Sequence, residues 1–137
     1  MTITNGQTSE DSVKAIVNKM FEAMRAADAV SLKSVFTETA ILQTIGTEKD
    51  GSVTIKNEET REFIDFVSKL NKGTADERII FETIRIDGPL ALVWAPYKFF
   101  YKGTFSHCGV DSFQLVRVNG GWKIQYLIDT RRKTGCE

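Results

Sequence analysis

The chain has 137 residues, of which 42% are hydrophobic and 26% charged. That is enough for a packed core without help from disulfides or metals, and it argues against disorder. Eighteen basic residues balance eighteen acidic ones, so no global basic field draws nucleic acid or anionic lipid. No run approaches the roughly 20 apolar residues that span a bilayer, and the polar start has neither a basic head nor an apolar h-region. The expectation is one cytoplasmic domain over 1–137, with 1–9 as a flexible tail and neither a nucleic-acid nor a membrane partner.

Val13, Ile16, Val17, Met20, Phe21 and Met24 recur at helical spacing behind Ser9, Asp11 and Ser12, which predicts an amphipathic helix over about 11–26. Asp28 and Ser31 offer caps for a short second helix with Leu32, Val35 and Phe36 on its apolar side. Ala40–Ile45 reads as a strand, and Asp50-Gly51 turns the chain toward Val53–Ile55. Asn57, Glu58 and Glu59 suit the positive end of a third helix that buries Phe63, Phe66, Val67 and Leu70 and stops near Gly73. Arg78–Ile86 opens a sheet that continues through Asp87-Gly88-Pro89 into Leu90–Tyr101, with a bulge or an edge expected at Pro96.

Two hairpin signals, Lys102-Gly103 and Asn119-Gly120, set a register for the last strands. Closed as two-residue turns, they place Phe105 opposite Phe100, Asp111 opposite Trp94 and Ile128, and Phe113 opposite Leu92 and Tyr126. Ile86 opposite Leu90 then brings Glu82 beside Trp94. The resulting face carries Trp94, Phe100, Phe113, Leu115, Trp122, Ile124 and Tyr126, with Asp111 and Glu82 in one row about 10 Å apart before curvature. Arg78, Lys98, His107 and Arg132 form a basic rim at the sheet end, suited to an anionic part of a ligand. The opposite face, with Ala91, Val93, Ala95, Tyr97, Phe99, Val110, Val116 and Leu127, is too apolar for water and is expected to pair with a second copy of the chain. Asp129 and Arg131 read there as an ion pair. Cys108 and Cys136 are not opposite one another in this register; a disulfide would need the tail to fold back, and a reducing compartment is expected.

The helix pair, a third helix after a short hairpin, four strands, and GGWKI before the last strand make an α+β arrangement with helices on one face of a curved sheet. In these features, and in SHCGVDSFQLVRVNGGWKI, the chain resembles the nuclear transport factor 2-like superfamily, near its bacterial branch labelled putative lumazine-binding. The resemblance implies three helices on a strongly curved antiparallel sheet forming a cone, a homodimer through the outer sheet face, and a pocket between sheet and helices. Members include isomerases, dehydratases, polyketide cyclases and pure binding modules, so fold does not choose among them.

A carboxylate desolvated on an apolar wall is a candidate acid or base. The candidate catalytic residues are Asp111, Glu82 and His107; the candidate ligand contacts are Trp94, Tyr126, Lys98, Arg132 and Phe113. The steroid isomerases of this fold combine an Asp near the first strand with a Tyr from the first helix; Ala40–Thr47 holds no carboxylate and the first helix no tyrosine, which speaks against that reaction. A dyad of His107 and Asp111 is separated by about 13 Å of strand. With one histidine, and Cys108 on the other face, no metal site is expected. The glycines open no helix, so no nucleotide-type cofactor is implied. Three readings stay open: an acid–base enzyme acting on a small apolar or aromatic molecule, a non-catalytic binding module, and an interaction protein whose cone is filled by side chains.

Overall fold

A computed structural model describes residues 8–137. The elements run α1 (Ser9–Ala26), α2 (Ala29–Ser34), β1 (Phe36–Thr47), β2 (Val53–Glu58), α3 (Thr60–Ser68), β3 (Ala75–Ile79), β4 (Thr83–Asp87), β5 (Leu90–Tyr101), β6 (Thr104–Val118) and β7 (Gly121–Thr130). Of the tail expected over 1–9, residues 1–7 lie outside the described residues, while Thr8 and Ser9 belong to the first helix. Thr8, rather than Ser9, Asp11 or Ser12, is the N-cap: its hydroxyl accepts from Asp11 N, and the Asp11 carboxylate accepts from Thr8 N. The helix ends at Ala27, whose φ of 52° turns the chain so that Asp28 can cap α2 through Ser31 N. Glu58 closes β2 instead of opening α3, which begins at Thr60.

The strands form one sheet in the order β2-β1-β7-β6-β5-β3, with β4 also paired to β5. Its seams are antiparallel except one: β1 runs parallel to β7, which corrects the expectation of a wholly antiparallel sheet. The hydrogen bond from Ile124 N to Val35 O (2.8 Å) anchors the start of β1 against β7, and the two strands then run on together. The strand expected over Arg78–Ile86 is two strands on one edge of β5, broken at Ile80–Glu82. Pro96 explains the break. Its carbonyl accepts from Ile80 N, so its ring nitrogen faces the same edge and offers no donor there.

The main departure from the sequence reading is a pair of bulges. Phe100↔Phe105 pair as expected, but the next pair is Phe99↔His107, leaving Ser106 as an extra residue. Leu115↔Ile124 also pair as expected, and then Gln114 meets Tyr126, leaving Gln125 extra. Each extra residue moves the partner strand by one and turns its side chains over. Asp111 therefore lies opposite Ala95 and Asp129 rather than Trp94 and Ile128, and Phe113 opposite Val93 and Leu127. The helix-covered face carries Ala91, Val93, Ala95, Tyr97 and Phe99, whereas Leu90, Leu92 and Trp94 are exposed on the outer one. The two faces of β5 are thus the reverse of the expectation.

The core between helices and sheet is built from Val13, Val17 and Phe21 of α1, Leu32, Val35, Val67, Phe113, Leu115, Trp122 and Ile124. Burying a large aliphatic or aromatic side chain contributes about 1.5–3 kcal/mol each. Beyond β7 the chain folds back over β6. Cys108 and Arg132 exchange both backbone hydrogen bonds, Gly135 turns at φ +68°, and Cys136 closes a disulfide with Cys108 at a Cα separation of 5.7 Å. The cysteines, not opposite one another in the expected register, are joined because the tail does fold back: Arg132 pairs with Cys108, and the turn through Gly135 returns Cys136 to it.

Candidate functional site: a carboxyl pair in the mouth of the cone

The last turns of α1 and the body of α3 stand off from the sheet at the end where Asp111 lies. The gap is a cavity of about 250 Å³. Met20 and Met24 of α1 and Phe63, Phe66 and Val67 of α3 form one wall; Leu42, Phe99, Tyr101 and Leu127 form the sheet side. Into this apolar surround project Glu58, Glu77, Asp111 and Asp129, with His107 and Arg131 beside them.

Strand geometry accounts for the cluster. Asp111 and Asp129 are register partners on β6 and β7, so their side chains share the inner face. Glu77 alternates with Ala75 and Ile79 on β3 and reaches the same space from two strands away across the curved sheet. Asp111 is only 2% exposed. No N–H donor reaches its Oδ2, and none reaches Asp129 Oδ1. Burial pushes the Asp111 carboxyl well above the ordinary aspartate range, and the adjacent Glu77 charge adds to that. Glu77 is also raised by burial, while its hydrogen bond with Asp111 acts the other way. Two carboxyl groups can share a hydrogen bond only when one holds a proton. The larger upward shift at Asp111 makes it the member of the pair that favours the shared proton, with Glu77 as its acceptor.

The surrounding groups fit that state. Asp129 is raised by burial, opposed by Arg131, whose Nε lies 3.5 Å from Asp129 Oδ2. Glu58 is raised by desolvation at the rim. His107 is held below its ordinary value by burial, then by Arg131 and Lys133, which favours the neutral imidazole. Its ring packs 5.1 Å from Phe99, with Nδ1 3.0 Å from Ser106 Oγ. Burial, reinforced by the carboxylates, pushes the Tyr97 phenol up, and its hydroxyl donates to Thr130 O at 2.7 Å. Among the described residues no group of His, Cys, Asp and Glu has the geometry to hold a metal ion.

Of the residues singled out from the sequence, Asp111 and His107 line the cavity. Glu82 is exposed in the break between β3 and β4, and the carboxyl that meets Asp111 is Glu77, five positions earlier. Trp94 is 44% exposed on the outer face. Lys98 is on that face opposite Arg78, whose guanidinium stacks on Phe100 at 4.1 Å. Tyr126 donates to Gln43 Oε1 and does not line the cavity. Phe113 is fully buried edge-on against Phe21. Arg132 is tied to Cys108 in the folded-back tail. The expected basic rim is thus dispersed by the Ser106 bulge, and Arg131 is the cation that reaches the cavity. Asp129 and Arg131 do form an ion pair, but on the pocket side.

A helix-capped cone with an open pocket at its wide end is the architecture of the NTF2-like, cystatin-like proteins. The chain belongs to the family described as "Putative lumazine-binding", whose model matches residues 8–126. It resembles an NTF2-like protein of unknown function from Shewanella baltica, at 19% identity over 94% of this chain and 100% of that one, TM-score 0.65. It also resembles a domain of unknown function with a cystatin-like fold from Nostoc punctiforme, at 19% identity over 94% and 82%, TM-score 0.69. A third similar structure is a "putative dehydratase from the NTF2-like family" of Streptomyces avermitilis, at 15% identity over 89% and 94%, TM-score 0.64. No curated protein matches the chain. Asp129, Arg131 and the disulfide partner Cys136 lie beyond the stretch that the family model matches.

Proposed function

We propose that the cone binds a small, flat molecule between Phe63, Phe66 and Phe99, and that the Asp111–Glu77 pair moves a proton on it. Asp111 carries the reading: a buried carboxyl at the wall of an open cavity, with an oxygen that no N–H of the protein satisfies. Such a group in an apolar surround usually marks a functional position, since burial without a partner costs stability. The family description supports a small heteroaromatic ligand.

The pair holds one proton between two carboxyls, so it presents an acid and a base at once. Asp111 gives its proton to a basic atom of the bound molecule; the carboxyls, unable to stay ionised side by side, then take a proton from another atom of that molecule. The net result is a proton shift or an elimination assisted at one end and relieved at the other. Neutral His107 offers a further donor or acceptor.

The test is a thermal-shift screen of wild type and Asp111→Asn against pterins, flat aromatic acids, phenols and steroids. A ligand at a hundredfold excess over its Kd stabilises the native state by about 2.7 kcal/mol. The expected outcome is at least one heteroaromatic hit in the wild type that weakens tenfold or more in Asp111→Asn, with the variant still melting cooperatively. Hits unchanged in the variant, or none from any class, would count against this reading.

A further inference from the structure

We infer that the pocket selects a ligand carrying a positive charge on an apolar body, an organic amine or a protonated nitrogen heterocycle, over neutral and anionic molecules of the same shape. The inference rests on the pocket being a binding site and adds the chemical class of what enters it.

Three observations carry it. The first is charge count. Four carboxyl groups, Glu58, Glu77, Asp111 and Asp129, line the cavity against one guanidinium, Arg131, so acidic groups still outnumber it when the Asp111–Glu77 pair holds a proton. The Arg131 side chain is 50% exposed and its charge is partly given to solvent, whereas Asp129 is 15% exposed. In a space walled by Met20, Met24, Leu42 and Leu127 the remaining negative field is poorly screened. The second is hydrogen-bond supply. Asp129 Oδ1 is a buried oxygen to which no N–H or hydroxyl donates, so a bound molecule completes the site by donating. An ammonium or ring N–H does so; an anionic ligand would add acceptors to acceptors. The third is the aromatic surround. Phe63, Phe66, Phe99 and Tyr101 line the same cavity, and ring faces attract a cation once it has left water.

Burial raises the Glu58, Asp111 and Asp129 carboxyls, with acidic neighbours adding to it at Glu58 and Asp111, and a cation brought in beside them would favour their charged forms. The sequence suggested the opposite preference, because Arg78 and Lys98 of the supposed basic rim lie on the outer face and Arg132 in the folded-back tail.

Three probes matched in shape test the inference: tryptamine, tryptophol and indole-3-propionate, titrated calorimetrically at low ionic strength near neutral pH. Tryptamine is expected to bind at least tenfold more tightly than tryptophol, with indole-3-propionate weakest, and added salt is expected to narrow the gap. Glu58→Gln, at the rim and clear of the buried pair, should reduce the amine-to-alcohol ratio several-fold, and Asp129→Asn should do the same. If tryptophol or the acid binds as tightly as the amine, charge selection is wrong while the pocket stands. If none of the three binds, both the pocket reading and the charge selection fail.

Discussion

Gly109→Ala is expected to lower stability by about 2–4 kcal/mol, near the upper end of overpacking effects, or roughly 10 °C in Tm for a chain of this size. A Cβ at Gly109 would stand 2.1 Å from Thr130 O and 2.8 Å from its carbonyl carbon, both backbone atoms that no side-chain rotation can move. The close approach is built into the site. Thr130 crosses Gly109 so that its carbonyl takes the Tyr97 hydroxyl and its own hydroxyl takes Val110 N. One residue to either side, the same crossing sets Asp129 across from Asp111 and sends Arg131 to the pocket. Pushing β7 away would cost both the packing and the carboxyl cluster. Gly121→Ala is the control: its nearest foreign atom would be Val118 O at 4.0 Å, and a change within about 0.5 kcal/mol is expected. Chemical denaturation of the two variants side by side checks the contrast, and equal midpoints would refute it.

Cys136→Ser is expected to cost about 3–4 kcal/mol. Cys108 and Cys136 are 28 residues apart, and cross-linking a loop of that length removes about this much chain entropy from the unfolded ensemble. The bridge closes over β7 entire, with the Asn119-Gly120 turn inside the loop. A reductant should bring the wild type to the stability of Cys136→Ser and leave the variant unchanged. A wild type indifferent to reductant, with the variant equally stable, would mean that the tail is held by its backbone bonds to Cys108 alone.

Most of the fold was legible because it is written in periodicity. The 3.6-residue repeat from Val13 to Met24 located α1, Asp28 its neighbour's cap, and the Lys102-Gly103 and Asn119-Gly120 turns both hairpins. The site was less legible because a bulge leaves almost no trace in a strand rich in apolar residues on both faces. Trp94 and Val93 are both acceptable core residues by composition, so nothing local opposed the wrong face. The unbulged register inverted β5 and hid Glu77, Asp129 and Arg131 from the pocket. Asp111 and His107 survived because both lie on the far side of the Ser106 bulge and on one face of β6. The small residues Ala91 and Ala95 and the pair Tyr97–Gly109 were the available signal: small side chains on β5 fit under helices, and a tyrosine covers a glycine across a strand pair.

The state of Asp111 is the center of the account. A carboxyl whose folded pKa is raised gives stability that is fully present below its unfolded pKa, near 3.8, and lost as pH rises through its folded value. The most direct measurement is a carbon-13 NMR titration of the Asp and Glu side-chain carboxyls, assigned with Asp111→Asn and Glu77→Gln. The account predicts that the Asp111 carboxyl titrates well above the ordinary aspartate range, in step with Glu77. An Asp111 resonance that moves through the ordinary aspartate range, independently of Glu77, would contradict it.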